Sequence, residues 1–64
     1  MRLSREKINL IMARQAFTVE KLANAYGASV QRIYMIFNSK KVTPITAGKL
    51  ASALGVDVTE IIED

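Results

Sequence analysis

Thr18-Val19-Glu20-Lys21-Leu22-Ala23-Asn24-Ala25-Tyr26-Gly27-Ala28-Ser29-Val30-Gln31-Arg32-Ile33-Tyr34-Met35-Ile36-Phe37 is the stretch that decides how this chain folds. Thr18 and Ser29 each precede a segment whose apolar residues recur at helical spacing, and short hydroxyl side chains are favoured there because they accept hydrogen bonds from the free amides of a first helical turn. Leu22, Ala23 and Tyr26 form the apolar stripe of one helix over Val19 to Tyr26. Gly27 follows, suited to a left-handed C-terminal turn. Ile33, Ile36 and Phe37 are the core positions of the next helix, which runs through about Phe37. So short a turn does not allow antiparallel packing, so the two helices meet steeply and one braces the other, as a helix-turn-helix does across the major groove. Many helical hairpins share the bare pattern, so it leaves function open.

Toward the N-terminus, Ser4 caps a first helix from about Arg5 to Ala16, with Ile8, Ile11, Met12 and Gln15 on one face and Leu10 opposite. On the other side, Asn38-Ser39-Lys40-Lys41-Val42-Thr43-Pro44 reads as a basic loop, because Pro44 drives Thr43 out of helical geometry. A fourth helix begins either after Thr43, with Pro44 at its first position, or after Thr46, and turns Leu50, Ala51 and Leu54 inward. Gly55 ends it. Asp57-Val58-Thr59-Glu60 has capping-box spacing, with Val56 and Ile61 placed as a hydrophobic staple. It opens a short fifth helix whose apolar residues are Val58, Ile61 and Ile62.

Sixty-four residues make one domain, expected to span residues 1–64, near the smallest size that folds without metals or disulfides. The chain has no Cys and no His, which removes disulfides, thiolate or imidazole metal sites and every catalytic scheme that needs those groups. The remaining Ser, Lys, Tyr and acidic residues show no spacing that would activate a nucleophile, so neither an enzyme nor a cofactor is expected. No apolar run reaches the ~20 residues of a membrane span, and the start lacks a signal-peptide core, so a cytoplasmic protein is expected. The Met start and the lack of a linker after Ile62 suggest a minimal product without a separate oligomerisation domain.

The net charge of +3 is unevenly placed. From Met1 to Lys49 nine bases face two acids, whereas Asp57, Glu60, Glu63 and Asp64 crowd the last eight residues. That division suggests one surface turned toward a polyanion and another turned away, although a solvated surface with an acidic end explains it equally well.

The joint spacing of Thr18-Val19-Glu20-Lys21-Leu22-Ala23, Gly27, Ile33 and Leu50-Ala51-Ser52-Ala53-Leu54-Gly55-Val56 resembles the helix-turn-helix family of lambdoid phage repressors and Cro proteins, the XRE family. The likeness runs from about Ile8 to Ile62. It implies an all-α, compact, five-helix lambda-repressor-like domain whose third helix enters the major groove, usually as a two-fold dimer on an operator with inverted half-sites. By position it implies base contacts from Val30, Gln31 and Met35, with Arg32 and Tyr34 beside them. Gln31 suits adenine, and Val30 or Met35 suits thymine methyl groups, while Arg32 fits phosphate or guanine. Val30 and Met35 are alternatively core residues, and Tyr34 is alternatively a plain surface residue. Thr18, Ser29, Asn38, Lys40 and Lys41 match positions that hold the DNA backbone.

The chain also departs from that pattern. Val19 stands where the family often has a phosphate-contacting Gln, and Phe37 and Ser39 stand where it often has Glu and Gly. Without that Gly, Asn38 is expected at positive φ. Met12 occupies the place of an Arg that some repressors pair with the Glu, so Met12 and Phe37 are expected to meet in the core. An operator-binding regulator, Cro-like or repressor-like and of phage or mobile-element type, is the favoured reading. The alternative is a protein-binding adaptor on the same fold, of antitoxin or antirepressor type. A weak or DNA-induced homodimer through the fifth helix is expected, unless Ile61 and Ile62 only close the monomer core.

Overall fold

A computed structural model describes residues 1–63. Four α-helices, α1 (Arg5–Gln15), α2 (Val19–Tyr26), α3 (Val30–Asn38) and α4 (Pro44–Leu54), are followed by a single 3-10 turn at Val58–Glu60. Each α-helix begins where a local side chain satisfies a free amide. Ser4, Thr18, Ser29 and Thr43 accept from the amides of Lys7, Lys21, Arg32 and Thr46. Thr43, with Pro44 in the first turn, is thus the start of α4, and Thr46 is not. Gly27 and Gly55 close α2 and α4 in the left-handed region, at φ of 89° and 73°.

One core joins all four α-helices with both ends of the chain. Ile8, Leu22, Ile33, Leu50, Leu54 and Ile61 are its largest fully buried side chains. α2 sits centrally, packed on α3 and on α4, and α4 in turn packs on the 3-10 turn. The Gln15 amide donates to the Leu54 carbonyl at 3.0 Å and ties the end of α1 to the end of α4.

The expected fifth helix is reduced to this one turn. Its capping box forms, with the Thr59 amide donating to Asp57 and the Asp57 amide to Glu60. Two hydrogen bonds onto the Asp57 carboxylate, from the Thr59 amide and then the Thr59 hydroxyl, hold its pKa below the ordinary value. Beyond Glu60 the backbone turns to the N-terminal segment. Ser4 N–H donates to the Ile61 carbonyl at 2.7 Å, Glu63 N–H donates to the Arg2 carbonyl at 3.0 Å, and Leu3 pairs with Ile62 in an antiparallel bridge. Groups so engaged cannot also join a helical ladder. Ile61 and Ile62 are 0% and 8% exposed, so they close the monomer core and offer no apolar face for the expected fifth-helix contact.

Three further expectations are corrected. α1 stops at Gln15, because Ala16 turns left-handed at φ 52° and its amide and that of Phe17 return to carbonyls of the last turn. Asn38 is not at positive φ: it remains in α3, and Ser39 leaves in extended geometry at φ −72°, ψ 135°. Ser39 makes this exit possible by donating its amide to the Ile36 carbonyl and its hydroxyl to the Met35 carbonyl, which satisfies the helix end without a left-handed residue. Finally, Met12 is not enclosed as expected: it is half-buried and packs against the edge of the core cluster that includes Phe37. A face of the buried Phe37 ring is covered by the Arg5 guanidinium, 4.4 Å from the centroid.

Candidate nucleic-acid interface

α3 turns about 100° per residue, which sorts its side chains into sectors. Ile33, Ile36 and Phe37 face the core and are buried. Gln31, Tyr34, Met35 and Asn38 share the opposite, exposed stripe. Met35 is 63% exposed, a large apolar group left in solvent, and so it is not a core residue. Val30 lies between the two sectors, half-buried and packed against the core, so its side chain is largely committed inward. Tyr34 stands edge-on to Phe37, with ring centroids 6.4 Å apart. The same Phe37 ring therefore carries Arg5 and supports Tyr34.

The hydroxyls at the helix starts are partly used. Thr18 and Ser29 accept from backbone amides at 3.1 Å each, yet a hydroxyl has one proton to give as well as lone pairs to receive. Both residues are exposed, and their protons remain free to donate to an oxyanion. Behind α3 the loop Ser39 to Thr43 is held from outside: the Val42 amide donates to the Met1 carbonyl at 2.8 Å, and the Met1 amino group donates to the Val42 carbonyl. Lys40 and Lys41 thus project from an anchored loop.

The protein's own contacts divide the basic residues. Arg2 pairs with Glu63, Lys7 donates to the Ile62 carbonyl, Arg5 lies on Phe37 and Lys49 lies 4.8 Å from the Tyr26 centroid. Among the described residues Arg14, Lys21, Arg32, Lys40 and Lys41 have no such partner, and the last three cluster on α3 and the loop that follows it. The structure thus brings an exposed polar and apolar stripe together with unpaired positive charge. Sequence reading missed Thr46, whose position beside Arg32 only appears when α4 is packed, and Arg5, whose partner Phe37 lies on a different helix.

A helix-turn-helix family model matches residues 8–61. This chain belongs to the XRE-type helix-turn-helix family. It is a DNA-binding domain of the transcription-regulator type, from a family whose role is regulatory and not enzymatic. No curated protein and no solved structure gives a significant match to it. No described helix of this XRE-type domain is long and apolar enough to cross a membrane.

Proposed function

We propose that the chain is a Cro-like or repressor-like regulator that reads a specific double-stranded operator with α3 in the major groove. The observation that carries this reading is the exposed stripe of Gln31, Tyr34 and Met35 beside three cations with no partner among the described residues, with the buried side of the same helix fixed in the core. Gln31 pairs with adenine through its amide, and Met35 packs on a thymine methyl group. Val30 contributes its exposed edge. Tyr34 lies along the sugar-phosphate wall. Thr18, Ser29, Asn38, Lys40 and Lys41 hold the backbone and set register without reading sequence.

A single short helix reads too few base pairs to discriminate among genomic sites, so two copies act on inverted half-sites about 34 Å apart, one turn of DNA. With Ile61 and Ile62 enclosed, pairing is weak in free solution and forms on the operator. Site selection from random duplexes tests the reading: it should return an inverted repeat, and moving the half-sites apart by half a turn should abolish cooperativity. Equal, spacing-independent affinity per half-site would leave a monomeric reader. A salt titration separates the adaptor alternative, since phosphate contacts give a log-log slope of about −0.9 each and a protein partner need not.

A further inference from the structure

Arg32 lies at the edge of the exposed stripe, beside Met35 and away from Gln31. It lies about 100° round α3 from Gln31, on the side that faces α4. There, Arg32, Met35, Ser39, Lys41, Thr43 and Thr46 line a recess of about 210 Å³ between the end of α3, the loop and the start of α4. Two cations line it from different elements, and no acidic residue among the described ones does. Neither cation has an ion-pair partner among the described residues. The hydroxyls are distributed unequally. Ser39 gives its proton to the Met35 carbonyl at 2.9 Å, and Thr43 gives its proton to the Thr46 hydroxyl at 3.0 Å. That second bond uses one proton of the two threonine hydroxyls, so the other has no acceptor among the described residues. The recess therefore offers a guanidinium, an ammonium and one hydroxyl donor, which is the complement of a tetrahedral oxyanion.

We infer that Arg32 and Lys41 together hold one DNA phosphate in this recess, so that Arg32 sets the position of α3 along the groove and does not read a base. The inference rests on the DNA-reading function proposed above and assigns Arg32 a positioning role within it. Two cations on one phosphate have a signature that independent contacts lack. Counterion release follows the number of phosphates neutralised, so either cation alone still neutralises much of the shared one.

Arg32→Gln, Lys41→Gln and the double variant would be titrated with salt on a generic duplex and carried through site selection. All three should melt like the parent, because both side chains are exposed. Each single change should flatten the slope by well under one contact, the double by about 0.9 in total, and Arg32→Lys should restore the parent slope. The selected sequence should not change in any of them. Loss of preference at one base pair in Arg32→Gln would overturn the inference and make Arg32 a base reader. Full, additive flattening, one contact per single change and two in the double, would also overturn it by placing the cations on separate phosphates. A parent protein with no salt-dependent duplex binding would instead defeat the DNA-reading proposal itself.

Discussion

Exchanging Ala16 for Gly should stabilise the fold, although it removes a methyl group from an ordered position. Ala16 sits at φ 52°, ψ 41°, where Cβ crowds the neighbouring carbonyl. An L-residue there costs about 1–2 kcal/mol, and glycine avoids that cost while losing about 0.5–1 kcal/mol more backbone entropy on folding. The side chain is exposed, so no burial is lost. The net gain is about 0.5–1 kcal/mol, which for a domain of this size raises the melting temperature by roughly 2–8 °C. Gly27→Ala is the converse. A Cβ built on Gly27 meets nothing within 4 Å, so its cost is purely conformational, and the melting temperature should fall by a similar amount. Thermal unfolding followed by circular dichroism at 222 nm, without DNA, gives both numbers. A lower melting temperature for Ala16→Gly, or the same sign of change in both variants, would refute the assignment of a left-handed end to α1.

Other expectations follow from the site and the core. Gln31→Ala should weaken binding to the selected site by about 1–3 kcal/mol and relax preference at one base pair, read by competition against single-base variants. Lys40→Ala should lower affinity for every sequence alike and flatten the salt slope by about 0.9, and loss of discrimination in that variant would contradict a phosphate role. Phe37→Ala should cost about 3–5 kcal/mol, since it empties a buried ring site and also strips Arg5 and Tyr34 of their shared support; chemical denaturation measures this. Met12→Arg should be milder than a fully buried cation, because the half-buried stem can carry its guanidinium to water; a loss above about 3 kcal/mol would show the position to be closed. Asp57 has a lowered folded pKa, so the stability it lends is present at neutral pH and is lost as acid takes the pH down through that lowered value. The Thr59 amide shift should report this titration, and Asp57→Asn should abolish it.

Local chemistry was enough to place most of the frame. A cap is satisfied within three residues, so Ser4, Thr18, Ser29 and the Asp57–Glu60 box could be identified from the chain alone, as could Gly27 and Gly55 at positions needing positive φ. Periodicity likewise assigned Ile33, Ile36 and Phe37 to the core and left Gln31 exposed. Everything that depended on distant partners was decided by packing. The fifth helix was cut to one turn because residues 61 and 63 bond to the N-terminal segment, a competition between backbone ladders that propensity does not register. The positive φ went to Ala16 and not Asn38, since two hydrogen bonds from Ser39 finish α3 while α1 must reverse within two residues of the Thr18 cap. Phe37 met Arg5, and Arg32 came to line one recess with Lys41 and Thr46, because these residues sit on different elements whose arrangement is set by the whole core. The sequence alone thus determined which helix carries an exposed polar stripe opposite its buried face; which of its side chains share a surface with which cations was fixed only when α4 and the loop closed against it.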